Sequence, residues 1–310
     1  MIVAITGAGG FIGRKLLARC IGDGHTVRVL TRRAAVELPP QATVCQGDLT
    51  GELPLALVEN ADVLYHCAAE MRNRQRMQAV NVGGTASLIK IASGRVGRWV
   101  QLSSAGAYGP RREGKVTEKT PEHPVGDYER TKASADALVS EAGAKGAFTY
   151  SILRPTIVFG AGMGNRSLYQ LIAAIDKGFF FFIGKPGASA NYIHAENVVD
   201  ALCLCANRPA AAGHIYNLSD HHDIESFVSA IARELGKPVP RVRLPEAPTL
   251  AAVRLLSLIP GFPLTPARVR ALTSRAIYPC ERISVQLGYR PRVGMEAGLA
   301  ELVAAWKSSR

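Results

Sequence analysis

The sequence predicts an α/β fold: a doubly wound parallel sheet with a smaller α/β cap interleaved at its C-terminal side. Three observations carry this. An apolar, β-branched run at the amino terminus breaks into four glycines, Gly7, Gly9, Gly10 and Gly13, and passes straight into residues at helical spacing. Strand-like and helix-like segments then alternate as far as residue 155, the pattern of a sheet built from βαβ units. Beyond that point regularity falls, with glycine-rich loops at 160–164 and 184–187. The expected division is residues 1–155 in the sheet domain, with 192–218 returning to it, and 156–191 plus 219–310 in the cap.

Ile2 to Ile5 read as the first strand, and Phe11, Ile12, Leu16 and Leu17 as one face of the helix after it. Glycines between them let the backbone turn sharply and let a phosphate approach main-chain N–H groups at the positive end of the helix. The spacing Gly7-x-x-Gly10-x-x-Gly13 differs from G-x-G-x-x-G because Ile12 fills the last glycine position of that pattern. Gly22-Asp23-Gly24 makes a turn, and His25 to Leu30 form a second strand, completing a βαβ unit of about thirty residues, the length of a mononucleotide-binding half. Where such folds place an acid to bind a ribose 2′-hydroxyl, the chain has Thr31, Arg32 and Arg33. Two cations replacing an acid favour a 2′-phosphate, hence NADP(H) over NAD(H).

Ala42 to Gln46 and Asp62 to His66 are the third and fourth strands. The fourth ends at Cys67-Ala68-Ala69, small residues against which a ligand can lie. A long helix carries Asn81 to Thr85 toward a fifth strand, Arg98 to Leu102, ending at Ser103-Ser104. Asp127 to Ala142 read as a helix placing Tyr128 and Lys132 on one face. Thr149 to Leu153 form the sixth strand, and His214 to Leu218 a strand able to rejoin the sheet. Further helices are expected over 167–176, 195–206, 223–235, 249–258 and 295–306.

With 47% apolar and 20% charged residues the chain is globular. The net charge of +12 is uneven: from Gly236 to Arg310 there are twelve Lys/Arg against four Asp/Glu, scattered rather than in runs. Such a distribution suits a small polyanionic ligand or an acidic membrane surface and argues against a nucleic-acid arm. Six cysteines form no C-x-x-C pair and no metal-ligand spacing, so free thiols in a cytoplasmic protein are expected, with no metal. No signal peptide or transmembrane segment is expected; the densest apolar run, Phe179 to Ile183, is far too short to span a bilayer.

Several stretches in order resemble the extended short-chain dehydrogenase/reductases, the NAD(P)-dependent epimerase/dehydratase family. They are the glycine turn, Gly47-Asp48-Leu49, His66-Cys67-Ala68-Ala69, Asn81-Val82-Gly83-Gly84-Thr85, Ser103 to Gly109, Tyr128-x-x-x-Lys132, Arg154-Pro155, Tyr192 to Ala201 and Leu287 to Pro291. The resemblance spans nearly the whole chain and implies a Rossmann sheet of about seven parallel strands, a substrate-covering cap and a homodimer. It implies that Gly7, Gly10, Phe11, Ile12 and Gly13 hold the pyrophosphate and that Asp48 and Leu49 flank the adenine. Ala68 and Ala69 would line the nicotinamide ribose, with Lys132 bonded to it, and Pro155 and Val158 would lie near the nicotinamide.

Tyr128 is the candidate proton donor and acceptor for hydride exchange at a carbonyl, with the Lys132 cation and oxidised nicotinamide lowering its pKa from about 10. The resemblance implies that Ser104 rather than Ser103 is the catalytic serine, since counting back from Tyr108-Gly109 places it at the family's position; it would polarise the reacting oxygen. The acid–base pair that 4,6-dehydratases of the family carry after this position is replaced by Ala105 and Gly106, so dehydration is not expected.

For the substrate, a nucleotide sugar acted on at C4 by a ketoreductase or epimerase is the leading expectation, because a basic cap suits an anionic ligand. Thr156, Arg166 and Arg275 are its candidate contacts beside Ser104 and Tyr128. Ala190 and Asn191 stand where such enzymes usually carry a diphosphate-gripping arginine. A lipophilic substrate, as in the 3β-hydroxysteroid dehydrogenase branch, is the alternative, drawn from Phe179 to Phe182 and the apolar stretch 250–260. A catalytically silent NADP-sensing regulator is the third reading, opposed by the presence of both Tyr128 and Lys132.

Overall fold

The computed structural model describes residues 1–32, 39–257 and 264–309. In chain order the elements are β1 (Ile2–Thr6), α1 (Phe11–Gly22), β2 (Thr26–Thr31), β3 (Ala42–Gln46), β4 (Ala61–His66), α2 (Arg74–Met77), a π-helical stretch at Gln78–Gly83, α3 (Gly84–Ala92) and β5 (Val96–Leu102). Next come β6 (Glu113–Lys115), α4 (Asp127–Ala144), β7 (Thr149–Pro155), β8 (Ile157–Phe159), α5 (Arg166–Asp176), β9 (Phe182–Ile183), β10 (Ser189–His194), α6 (Ala195–Asn207), β11 (His214–Leu218) and β12 (Asp220–Asp223). The chain finishes with α7 (Ile224–Leu235), β13 (Arg243–Leu244), α8 (Glu246–Leu256), α9 (Pro266–Thr273), β14 (Arg275–Ile277), α10 (Glu281–Leu287) and α11 (Met295–Ser308).

The central sheet has seven parallel strands in the order β11-β7-β5-β4-β1-β2-β3. Strand order reverses between β1 and β4, the switch point outside which open α/β sheets bind ligands. Both faces are covered. Leu16, Leu17 and Cys20 of α1 and Val198, Leu202 and Cys205 of α6 pack on one side. Leu88 of α3, Val139 of α4, Trp99 and Leu57 fill the other. Strands buried on two faces need continuous apolar runs, which is why β1 reads as Ile-Val-Ala-Ile without alternation.

A second core lies in the cap, where Leu168 and Ile172 of α5, Phe227 and Ile231 of α7 and Leu299, Val303 and Trp306 of α11 meet Phe159. Between the two cores, β12-β10-β8 form a three-stranded sheet; β10 runs parallel to β8 and antiparallel to β12. Two strand pairs, β13 with β9 and β14 with β6, tie the cap together and to the loop after β5. The helix expected from residue 249 starts earlier, at Glu246, because Pro248 sits in the first turn, where a missing N–H costs nothing. No helix among the described residues is long and apolar enough to cross a membrane.

Candidate active site

The site begins at the glycine turn. Gly7 has φ +75°, and a Cβ there would come within 2.6 Å of the Ala68 nitrogen, so β1 and β4 end against one another with no room for a side chain. A Cβ on Gly13 would lie 2.1 Å from the Gly7 carbonyl, which fixes how closely α1 can sit on its strand. Gly10 caps α1 without a side-chain hydrogen bond, and the first turn holds no acidic residue. The leading N–H groups, Phe11 and Ile12 among them, and the positive helix end therefore face the switch point, an arrangement that fits a pyrophosphate.

Behind the turn, His66 bridges three elements. Thr85 Oγ1 donates to the Asn81 carbonyl (2.6 Å), so it accepts from His66 Nε2 (3.0 Å), and His66 Nδ1 in turn accepts from Thr6 Oγ1 (2.6 Å). Burial pushes the imidazole down to about 3, keeping it neutral and its tautomer fixed. Thr6 Oγ1 also accepts the Ala68 N–H at 3.4 Å, so this chain of bonds reaches the small residues Ala68 and Ala69, both half-buried at the end of β4.

At the carboxyl end of β2, Arg32 is exposed just past the strand. The Asp48 carboxylate accepts the N–H and hydroxyl of Thr50, each at 2.9 Å, and these bonds, helped by the Arg32 and Arg76 charges, hold it below the usual carboxylate range. Leu49 is buried in the core, against Gly84. Arg33 lies outside the described residues.

On the other side of the switch point stand Ser104, Tyr128 and Lys132. Ser104 follows β5 and caps a short 3₁₀ turn, its Oγ accepting the Gly106 N–H at 3.1 Å. Tyr128 and Lys132 lie one turn apart on α4. Lys132 is buried, and its Nζ donates to the Leu102 carbonyl at 2.7 Å, pinning α4 to the end of β5 two residues before Ser104. Burial lowers the lysine pKa, while the Asp136 charge opposes that shift. The Tyr128 phenol moves opposite to the expectation for a ready base: burial, with Glu129 and Asp136 adding to it, pushes it up to about 12.

Asp136, one further turn along α4, was not a candidate from the sequence. It accepts from Ser103 Oγ (2.6 Å) and from Arg154 Nη2 (2.9 Å) and Nε (3.1 Å), and Arg154 also pairs with Glu122. Arg154 is 1% exposed and lies over the Tyr108 ring, 5.1 Å from its centre. Burial raises the Asp136 carboxyl, and Arg154 and Lys132 pull it back. A position four residues beyond Lys132 was the signal available for it.

A loop is tied to the same helix. Asn81 bonds the Glu70 N–H (2.7 Å) and carbonyl (2.9 Å) and donates to Thr131 Oγ1 (2.9 Å), which bonds the Tyr128 carbonyl. Asn81 sits in the π-helical stretch, whose extra residue per turn is typical of functional positions.

Pro155, the last residue of β7, is buried and Val158 in β8 half-buried against the core, and Thr156 between them bonds the Leu218 carbonyl (2.9 Å) and Ser219 Oγ (3.0 Å). The two candidate substrate arginines are placed differently from one another. Arg275 donates to the carbonyls of Lys185 (3.1 Å) and Pro186 (2.6 Å), closing the 184–187 loop. Arg166 opens α5 and lines a surface crevice with Tyr169, Trp306 and Ser309, to which none of Ser104, Tyr128 and Lys132 contributes.

The model of the NAD dependent epimerase/dehydratase family matches residues 3–219. A 4-hydroxy-2-methyl-3-oxo-4-farnesyl-3,4-dihydroquinoline-1-oxide ketoreductase of Stigmatella aurantiaca is 29% identical, covering 96% of this chain and 94% of its own. A UDP-glucose 4-epimerase of Vibrio cholerae is 28% identical over 78% of each chain. In fold, the chain is similar to the UDP-glucuronic acid 4-epimerase of Bacillus cereus, solved with UDP-glucuronic acid and NAD, at a TM-score of 0.79, 18% identity and full coverage of both chains. With a family match over more than half its length and the switch-point site in place, the chain belongs to the NAD dependent epimerase/dehydratase family of extended short-chain dehydrogenase/reductases.

Proposed function

We propose that this protein is an NADP(H)-dependent oxidoreductase acting at C4 of a nucleotide-activated sugar, as a 4-ketoreductase or 4-epimerase. The observation that carries oxidoreduction is Tyr128 one turn from a buried Lys132, whose ammonium is fixed on the Leu102 carbonyl of β5, two residues before Ser104. The dinucleotide, when bound, supplies hydride to a carbonyl carbon or accepts it from a carbinol.

Tyr128, held protonated by its surroundings, gives its proton to the oxygen that becomes the alcohol. In the reverse direction Lys132 supplies the cation that stabilises the phenolate, and the Asp136 charge partly offsets the burial that lowers the lysine pKa. Ser104 polarises the reacting oxygen. Ala105 and Gly106 bring no acid or base for elimination. Residues 1–155 and 192–218 would hold the dinucleotide and the rest the substrate, in a cytoplasmic homodimer.

Arg32, exposed at the end of β2 with no acid in its place, supports a 2′-phosphate ligand, with Arg33 as its second cation. The basic cap supports an anionic substrate, as does likeness to the Vibrio epimerase. Thr156 and Arg166 remain direct contacts in this reading, while Arg275 would act by holding the 184–187 loop. A lipophilic ketone is the second reading, favoured by likeness to the farnesyl-quinoline ketoreductase over 96% of the chain.

Thermal shift tests both. NADPH should raise the melting temperature more than NADH, and Arg32→Ala should abolish the difference, because a ligand of the native state stabilises by mass action. A UDP- or GDP-sugar should add a further shift. Equal shifts with NADH would overturn the NADP assignment, and a shift with a farnesylated ketone alone would replace the sugar. Binding without turnover across both substrate panels would leave the regulator.

A further inference from the structure

We infer that one lobe of the cap is a docking surface for an anionic lipid bilayer, and the inference holds whichever substrate the enzyme takes. The lobe consists of β9, β13, α8 and α9. Phe182 and Ile183 pair with Arg243 and Leu244 in parallel register, so the residues before each strand, Phe179–Phe181 and Arg241–Val242, run side by side. Phe181 and Leu250 both pack against the cluster of Ile183, Val253 and Val269, which lays α8 back along the same pair.

The side chains the lobe turns outward are large and apolar. Phe179 is 74% exposed, Leu255 72% and Val242 62%, and Leu244 and Leu256 are also exposed. On α8, Thr249 and Val253 take the inner face, while Arg254, Leu255 and Leu256 are turned to the surface. Core packing, the ordinary fate of such residues, therefore does not account for them.

The charge around them has one sign. From Lys237 to Arg275 the sequence holds seven Lys/Arg and a single acid, Glu246. That acid is neutralised by Arg112 at 2.7 Å, Glu225 by Arg243 at 2.6 Å, and Asp176 faces Lys237 at 3.6 Å. Lys177, Arg241 and Arg254 are exposed and enter no ion pair among the described residues. Each is within two residues in sequence of one of the lobe's three most exposed apolar side chains, Phe179, Val242 and Leu255. Interleaved cations and apolar side chains are what the interface of an acidic bilayer takes: the rings and branched chains enter the headgroup boundary and the cations meet phosphates.

Sedimentation with vesicles tests this on the full chain. The protein should pellet with vesicles of mixed phosphatidylglycerol and phosphatidylcholine, and remain in solution with phosphatidylcholine alone or in high salt. Phe179→Ser and Leu255→Ser should each lower the partition coefficient about tenfold. Arg241→Ala and Arg254→Ala should each lower it about fivefold, from about 1 kcal/mol per cation near an acidic surface. An unchanged NADPH-induced thermal shift would show that each variant is folded. Failure to pellet with the mixed vesicles, or pelleting that no variant weakens, overturns the proposal. So does a concentration-dependent dimer in light scattering that Phe179→Ser dissolves, which would assign the patch to a second copy of the chain.

Discussion

At the scale of single residues, the balance between burial and charge decides what each site group can do. Tyr128, pushed up to about 12, keeps its proton at neutral pH, so the site at rest holds the phenol that the reductive direction needs rather than the phenolate that oxidation needs. Tyr128→Phe should lower turnover by about 10²–10⁴-fold, the usual worth of a positioned acid, while the NADPH-induced thermal shift persists. Retention of wild-type turnover would remove Tyr128 from the chemistry. His66 is governed by the same balance. Its folded pKa of about 3 lies below the ordinary 6.5, so between those values the unfolded chain binds more protons than the native one. Stability contributed by the neutral ring is complete above 6.5 and is lost as pH falls toward 3. Urea melts across this window should show that loss, and the His66 ring signals in NMR should show no protonation near pH 5.

Among the elements, the glycine turn separates two kinds of glycine. Gly7→Ala meets the Ala68 backbone and a positive φ together, with nothing flexible to yield, and should disrupt both folding and dinucleotide binding. Gly9→Ala meets nothing within 4 Å and should leave the melting temperature nearly unchanged. Equal losses in circular-dichroism melts of the two variants would contradict this account. The turn, the strands of the central sheet and most helices were legible because apolar runs and periodic faces are long there; β3 and β11 coincide with their expected spans. Strands of two to four residues, such as β8, β9 and β12, and the short α9 and α10, hold too little pattern to read. Ser104, Tyr128 and Lys132 became candidates through the ordered set of family motifs, since a serine at a strand end and a helical i, i+4 pair are each commonplace alone; the structure puts them at the end of β5 and on α4 as those motifs imply. The Ser103–Asp136–Arg154–Glu122 network was not, since its members are distant in sequence and meet only when α4 lies across β5 and β7. The engagement of Arg275 with loop carbonyls was equally invisible, because it depends on β14 pairing with β6.

For the whole molecule, the two cores share one chain that crosses between them several times, so the cap is not an appendage that folds after the fact. Leu299, Val303 and Trp306 of the last helix fill the cap core, and Gly298 lies 3.0 Å, measured from an added Cβ, from both Phe159 and His194 at its boundary with the sheet. Truncation after Gly294 should therefore destabilise the whole protein rather than fray its end. Tryptophan fluorescence would check this, since Trp99 in the sheet core should lose its native signal along with the cap.

The widened turn at Gln78–Gly83 bears on which changes in length the fold can absorb. A π-helical turn carries one residue more than its α-helical equivalent, so deleting a single residue there would let α2 and α3 join as one regular helix, with all their backbone bonds intact. Every side chain upstream of the deletion would then swing round the axis by roughly 100°. Asn81 would leave Glu70 and Thr131, and the loop beside Tyr128 would lose its anchor while the helix itself became more regular. At this point the protein's shortest and most comfortable chain would be the one that has let go of its active-site loop.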